Sequence, residues 1–266
     1  RVQVDSRVFA DLTAALHQRL GDQELLDTRV LVKRRGEEPR LSDFVQMQTL
    51  DSVLALIEGQ NLIDILTNNG LRTHVQPLIR ADGSNSVFAY ECLTRGVESD
   101  GSIISPAYLF GTARKADLLF YLDRESRLTA VRSAAPLAAG AKLFVNFNPT
   151  TIYKPESCLA STMAVMNEVG LNHNDVVFEV VESDQITDVD NLRRILDYYR
   201  ERGFEVALDD LGAGYNSLTS LSDLRPDYMK LDMDLCRGVN VDPYRETIAK
   251  NLIALARDLG IATIAE

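Results

Sequence analysis

The spacing of apolar residues along the chain changes near residue 70. Before that point apolar side chains recur every three or four positions, which predicts an N-terminal helical segment over residues 1–70. Two runs carry this period: Val8, Phe9, Leu12, Leu16 and Leu20, followed by Leu50, Val53, Leu54, Ile57, Leu62, Ile65 and Leu66. Between them, residues 33–40 mix both charges with Gly and Pro, which predicts an exposed loop or linker rather than a nucleic-acid patch.

After residue 70, short apolar runs alternate with amphipathic stretches of helical period. The apolar runs predict strands over His74–Ile79, Val87–Thr94, Leu143–Asn148, Val176–Val181, Val206–Asp210, Tyr228–Leu231 and Ile261–Ala265. The stretches between them predict helices over Pro106–Leu118, Leu122–Ala139, Glu156–Val169, Val189–Arg202, Ser217–Leu224 and Pro243–Leu259. Alternating strands and helices are typical of parallel α/β folds, either a (β/α) barrel or an open doubly wound sheet.

Polar residues stand at the end of nearly every predicted strand. They are Glu91, Asn146, Glu179, Asp209 with Asp210, Lys230 with Asp232, and Glu266. A barrel builds its active site from the C-terminal ends of several strands, whereas an open sheet concentrates it at one switch point. An acid at a single strand end is commonly a helix cap. Because the pattern repeats from strand to strand, it favours the barrel and one shared site.

Two of these acids, Asp209 and Asp210, are adjacent in sequence, and glycines follow them. Adjacent residues of a strand point to opposite faces unless the strand is ending, so the glycines allow both carboxylates to turn to one site. Carboxylate oxygens suit Mg²⁺ or Mn²⁺ better than zinc. The segment Gly212–Gly214 predicts a mobile active-site loop. A plain turn is one alternative, and a dinucleotide-binding fingerprint is another, although the full glycine pattern of that fingerprint is missing.

Composition limits the classes of function. The chain has 28 Lys and Arg against 39 Asp and Glu, a net charge of -11, which argues against a surface for polymeric nucleic acid. A phosphate ligand would need local Arg, Lys or metal. No apolar run reaches the ~18 residues of a membrane span, and the three widely separated cysteines predict a reducing cytoplasm. Since the chain starts at Arg1 and stops at Glu266 directly after an apolar run, we expect it to be part of a longer protein.

Several motifs resemble the EAL family in their order and spacing. Residues Tyr90–Arg95, reading YECLTR, are similar to the E-A-L-x-R signature that names the family, with Cys92 in place of Ala. The other motifs are VQPL at Val75–Leu78, VNFNP at Val145–Pro149, FEVVE at Phe178–Glu182, LDDLGAGYNSL at Leu208–Leu218, MKLD at Met229–Asp232 and IAE at Ile264–Glu266. The resemblance covers residues 71–266.

This resemblance implies a TIM-like (β/α) barrel of the EAL type, with its last strand missing from the given chain. It divides the chain into an N-terminal helical or signalling segment, 1–70, and an EAL phosphodiesterase domain, 71–266. The implied activity is metal-dependent hydrolysis of cyclic di-GMP to linear pGpG, with two Mg²⁺ or Mn²⁺ ions. The implied metal ligands are Glu91, Asn146, Glu179, Asp209, Asp210, Asp232 and Glu266. A homodimer and a sensory N-terminal region are further implications.

The resemblance also assigns roles to single residues. The implied catalytic residues are Lys230, Glu266 and Glu182, and the implied substrate-binding residues are Gln76, Arg95, Asp123 and Asn146. Lys230 would position the attacking water or balance phosphate charge; a buried salt bridge is its alternative. Arg95 fits a phosphate oxygen, with a structural ion pair as the alternative. Asp123 stands where the family contacts a guanine base, and Glu182 would anchor the loop after Asp210.

Two other functions remain open from the sequence. A catalytically inactive receptor or protein-interaction module of the same fold would bind cyclic di-GMP or a protein without turnover. A Schiff-base lysine in an aldolase-like barrel would need a neutral Lys230. Neighbouring carboxylates disfavour that reading, because they raise the pKa of a lysine.

Overall fold

The computed structural model describes residues 13, 15–31, 40–98, 100–152, 154–181, 188–211 and 217–266, without the side chains of residues 41, 46, 56, 181, 210 and 217. The predicted linker at 33–40 therefore lies almost wholly outside the described residues, as do Val8, Phe9 and Leu12. The chain forms two compact units. One comprises Arg1–Leu71 and Gly96–Leu122, and the other comprises Arg72–Arg95 and Asp123–Glu266.

Helices and strands alternate along most of the described chain. In order they are α1 (Asp22–Asp27), β1 (Arg29–Val30), β2 (Gln48–Thr49), α2 (Leu50–Thr67), β3 (Leu71–Ile79), β4 (Val87–Val97), β5 (Ile103–Ile104), α3 (Pro106–Lys115), α4 (Leu119–Ala134), β6 (Lys142–Asn146), α5 (Pro155–Val169), β7 (Val176–Val181), α6 (Val189–Arg200), β8 (Glu205–Leu211), α7 (Ser217–Leu224), β9 (Tyr228–Leu231), α8 (Met233–Cys236), α9 (Pro243–Leu259) and β10 (Ala262–Ala265).

The first unit is built mainly from helices. Helix α2 begins where the Thr49 side chain accepts a hydrogen bond from the Ser52 amide, and α3 begins at Pro106 behind a Ser105 cap. Its larger core cluster consists of Leu62, Ile65, Leu71, Leu109, Ala113 and Leu122. The antiparallel pair of β1 and β2 was not predicted, because strands of two residues show no period.

The second unit carries the parallel sheet, in which the strands follow the order β10-β9-β8-β7-β6-β4-β3. The neighbouring strands from β4 to β10 pair in parallel. Helices α4, α5, α6, α7 and α9 connect successive strands, as expected for parallel connections. The sequence-based prediction of a parallel α/β fold is confirmed, with strand bounds close to those observed.

The register of the sheet aligns the strand ends. Asn146 of β6 pairs with Glu179 of β7, and Asp209 of β8 pairs with Val181. The β8–β9 ladder shifts its register between Leu208 and Leu211, where the two adjacent acids lie. A bulge of this kind changes the direction of side chains at the end of a strand.

Among the described residues, no helix combines the length and apolar character needed to cross a membrane.

One glycine marks a close helix contact in the first unit. A Cβ added at Gly59 in α2 would lie 2.8 Å from the Cβ of Ala116, which follows α3. We therefore expect Gly59→Ala to destabilise the protein by about 1–3 kcal/mol through overpacking, despite the better helix propensity of alanine. Gly111, inside α3, has open space around an added Cβ, so Gly111→Ala is the matched control and should raise stability by about 0.5–1 kcal/mol. Thermal unfolding of both variants measures the difference, and equal stabilisation would contradict the tight contact.

Candidate metal centre

Lys230 lies at the centre of a cluster of carboxylates from the C-terminal parts of the strands and from Glu91, which lies inside β4 because that strand extends to Val97. Its Nζ is 3.2 Å from Glu91 Oε1, 3.0 Å from Glu179 Oε1, 2.9 Å from Asp209 Oδ1 and 2.7 Å from Glu266 Oε1. The acids come from β4, β7, β8 and the residue after β10, and Lys230 comes from β9. The salt bridge that the sequence left as an alternative for Lys230 is therefore present.

The cluster is buried and its charges do not balance. The side chains of Lys230 and Glu179 are 0% exposed, and those of Glu91 and Asp209 are 11% exposed. Burial raises the pKa of Glu179 and of Glu91, since it penalises the charged forms, although the Lys230 charge opposes the rise. Burial alone would lower the pKa of Lys230, but the charges of Glu179, Asp209 and Glu91 outweigh it and raise that pKa. The lysine is therefore charged, and one ammonium faces four carboxyl groups.

The donor set fits a divalent cation. One carboxylate oxygen from each of Glu91, Glu179 and Asp209 lies within 4.8 Å of the other two. Among the described residues, neither Glu179 Oε1 nor Lys230 Nζ has a partner in hydrogen-bond geometry, despite their short separation. The Lys230 ammonium is the cation that faces this oxygen, and its single charge is shared among four carboxyl groups, which leaves negative charge for a further cation. All-oxygen sets of this kind suit Mg²⁺, Mn²⁺ or Ca²⁺.

Asn146 joins the cluster through Glu179. Its Nδ2 donates a hydrogen bond of 3.1 Å to Glu179 Oε2, and the Phe147 amide donates one of 3.1 Å to the Glu179 carbonyl. The amide nitrogen is thus engaged, which leaves the Asn146 carboxamide oxygen as the atom that can bind a cation. The segment after β6 is in this way held against β7.

The remaining predicted metal ligands and catalytic residues have other surroundings. Asp232 caps α8 by accepting a 2.8 Å hydrogen bond from the Asp234 amide, and its own amide donates to the Leu211 carbonyl. An N-cap explains this acid without a metal, and its role as a ligand stays a prediction. The side chain of Asp210, Glu182 and the loop at 212–216 lie outside the described residues.

The predicted substrate-binding residues are differently exposed. Gln76 is exposed on β3, and Arg95, at half-burial on β4, donates from Nη1 to the Thr94 carbonyl at 2.8 Å. Asp123 is buried at the start of α4, where it accepts a 2.7 Å hydrogen bond from the Asn148 amide and pairs with Arg127. Both Asp123 oxygens have protein partners, and its contact with a base stays a prediction. Sequence analysis missed Arg127, because a charged residue within a helix is usually solvated.

With this geometry established, comparison with known proteins decides the family. Residues 60–266 match the family model of the EAL domain. The chain belongs to the EAL domain family. The predicted resemblance is confirmed, and so is the TIM-like fold class of the EAL type. The match begins inside α2, so the domain boundary at residue 71 stays a prediction.

Relatives of this EAL domain include curated proteins and solved structures. The probable cyclic di-GMP phosphodiesterase PdeG of Escherichia coli is 30% identical over 204 residues, which are 75% of this chain and 40% of PdeG. A standalone versatile EAL protein of Vibrio cholerae, in its c-di-GMP-bound form, is 31% identical with a TM-score of 0.65, over 73% of this chain and 80% of that one. A manganese and cyclic di-GMP complex of Klebsiella pneumoniae BlrP1 is 26% identical with a TM-score of 0.64, over 80% of this chain and 58% of that one.

The buried lysine offers a test of the charge balance. In Lys230→Met the carboxylates lose their cation, and we expect a loss of about 3–5 kcal/mol in stability when metal is chelated. Added Mn²⁺ should restore more stability in this variant than it adds to the wild type, because a cation replaces the ammonium charge. Thermal unfolding in EDTA and in Mn²⁺ measures both effects. Equal Mn²⁺ responses in the two proteins would contradict a cation site in the cluster.

The cysteines offer a second test of the site's burial. Burial, aided by the Glu179 and Glu91 charges, raises the pKa of the Cys92 thiol to about 12. Because the thiolate is the reactive form, we expect Cys92 to resist alkylation at pH 8 in the native protein. Half-buried Cys236 should react first and buried Cys158 should not react. Mass spectrometry after iodoacetamide treatment gives the pattern, with the guanidinium-unfolded protein as control. Labelling of native Cys92 as fast as Cys236 would contradict the packing around the cluster.

Proposed function

We propose that this EAL domain hydrolyses cyclic di-GMP to linear pGpG, with Mg²⁺ or Mn²⁺ bound among its strand-end carboxylates, as a step of second-messenger signalling. The observation that carries the proposal is the buried oxygen cluster of Glu91, Glu179 and Asp209, whose three carboxylates face the single ammonium of Lys230. The names and ligands of the relatives from Escherichia coli, Vibrio cholerae and Klebsiella pneumoniae supply the substrate.

The chain's own residues would hold the metal at the strand ends. Glu91, Glu179 and Asp209 supply carboxylate oxygens and Asn146 supplies its carboxamide oxygen, while Glu266 reaches the same centre through Lys230. Asp210 and Asp232 remain predicted ligands of the set. When bound, divalent ions lower the pKa of a water molecule and neutralise charge that develops at phosphorus.

Lys230 serves as a fixed positive charge rather than as a base. Its raised pKa keeps the ammonium protonated, and a protonated lysine donates hydrogen bonds but accepts none. It can therefore orient an attacking water or a phosphate oxygen, but cannot remove a proton from either. The same protonation argues against a Schiff-base mechanism, which needs the neutral amine.

Phosphate binding needs positive charge in a chain of net charge -11. Arg95 uses Nη1 for the Thr94 carbonyl, and a guanidinium has further N–H donors for a phosphate oxygen. Asn146 and Gln76 complete the proposed contacts to substrate, and Glu182 is proposed to act with the loop that follows Asp210. The homodimer, the signalling role of residues 1–70 and the cytoplasmic location stay predictions.

Turnover of cyclic di-GMP tests the proposal. Incubation with Mn²⁺ or Mg²⁺ should yield pGpG, measured by liquid chromatography, and EDTA should abolish the product. Because Glu91 is a proposed metal ligand, we expect Glu91→Ala to lower kcat/KM by at least ~100-fold. The matched control is Glu168→Gln, which changes an exposed carboxylate of α5 and should leave turnover unchanged.

The same assay separates the competing functions. Binding of cyclic di-GMP without pGpG, in protein whose thermal unfolding is normal, would replace the enzyme by a receptor of the same fold. Unchanged turnover in Glu91→Ala would refute the metal assignment even if the substrate is correct.

A further inference from the structure

Helix α4 carries an ion pair that the proposed chemistry does not use. Arg127 Nη2 lies 3.2 Å from Asp123 Oδ2, one helical turn away, and the two side chains are 1% and 3% exposed. Among the described residues, Nε and Nη1 of Arg127 have no partner in hydrogen-bond geometry, although the guanidinium acts on the Tyr199 hydroxyl and opposes the rise that burial causes in the pKa of Tyr199. Burying an arginine with unsatisfied donors is unfavourable, and a buried ion pair is weak evidence of a gain in stability. A gain in stability therefore does not by itself explain the Asp123–Arg127 pair, whose carboxylate also holds neighbouring residues in place.

The Asp123 carboxylate holds the segment that follows β6. Its Oδ1 accepts a 2.7 Å hydrogen bond from the Asn148 amide, and its Oδ2 lies 3.4 Å from the Thr151 hydroxyl, whose shorter hydrogen bond, 2.8 Å, goes to the Asn148 carbonyl. Asn148 in turn caps the short helix Pro149–Thr151 by accepting from the Thr150 amide at 2.9 Å. A hydrogen bond from a backbone amide to a charged acceptor is roughly twice as strong as a neutral one. Asp123 is thus the anchor of this segment on the side of α4.

The same segment begins at the candidate metal centre. Asn146 donates from Nδ2 to Glu179 Oε2, and the next residue, Phe147, donates from its amide to the Glu179 carbonyl. Only Phe147 separates Asn146 from Asn148. The segment is consequently fixed from two directions, by Glu179 at one end and by Asp123 at the other.

We propose that Arg127 is a positioning residue of the metal centre: by orienting the Asp123 carboxylate towards the Asn148 amide, it fixes residues 146–151 and thereby places the Asn146 side chain against Glu179. The role of this placement in catalysis rests on the proposed function, whereas the placement itself does not. The planar guanidinium suits the task because it holds a carboxylate in a defined orientation, which the point charge of a lysine does not.

The side-chain amide of Asn146 reports its own position. In ¹H–¹⁵N spectra of the metal-free protein, its Nδ2 signals, assigned with Asn146→Ser, should shift in Arg127→Met and in the gentler Asp123→Asn. Arg127→Lys should shift them less. The matched control is Thr162→Val, which alters another fully buried polar side chain, in α5, whose hydroxyl has no partner within the described part of the chain, and it should leave these signals in place. Hydrogen exchange of the amides at 147–151 should be at least ~10-fold faster in Arg127→Met and Asp123→Asn than in the control.

A metal titration adds a readout that general loss of packing would not produce. We expect the Mn²⁺ concentration for half-maximal pGpG formation to rise ~10-fold in Asp123→Asn, as for other residues that orient metal ligands, while kcat at saturating Mn²⁺ changes less. Unmoved Asn146 signals and unchanged exchange at 147–151 in Asp123→Asn would overturn the proposal. If the wild type forms no pGpG, the proposed function fails, and the Asn146 signals alone then decide the positioning role.

Discussion

The electrostatic imbalance around Lys230 is the constraint on which the functional end of the sheet depends. Four carboxyl groups approach one ammonium within 3.2 Å, at a place from which water is largely excluded. Charges of one sign repel strongly in such surroundings, and the repulsion is reduced by a nearby positive charge and by the raised pKa of Glu179 and Glu91. Lys230 supplies that charge. The parallel register brings the acids to this edge, and the β8–β9 ladder shifts its register between Leu208 and Leu211, next to Asp209.

This constraint links the fold to the proposed chemistry. A parallel sheet presents the C-terminal ends of its strands on one side, where polar residues from several strands can meet. The apolar residues before each polar end keep the strands buried, as in β7 and β9. Stability therefore comes from the strand interiors, whereas the strand ends carry charges that oppose folding. Such a division is expected of a functional site, because unfavourable charge at one place is offset by packing elsewhere.

The sequence predicted the sheet well because its signals were strong. Strands β7 and β9 agree with their predicted bounds, since each is a short run in which only one residue, Glu179 or Lys230, is charged. Strands β1 and β2 were missed because two residues carry no periodic signal. The cluster of Glu91, Glu179, Asp209 and Lys230 follows from strand ends alone, once the sheet is parallel. Arg127 could not be found in this way, because its burial depends on how α4 packs and not on its neighbours in sequence.

The Lys230 ammonium at the centre of the acids separates folding from metal binding, two events that are coupled in many metalloproteins. In zinc fingers the metal supplies the folding free energy, so the polypeptide folds only when the ion binds. Lys230 is encoded in the chain and is present as soon as β9 joins the sheet. The acids can therefore be brought together without a divalent ion, and the proposed ion would bind to a protein that is already folded.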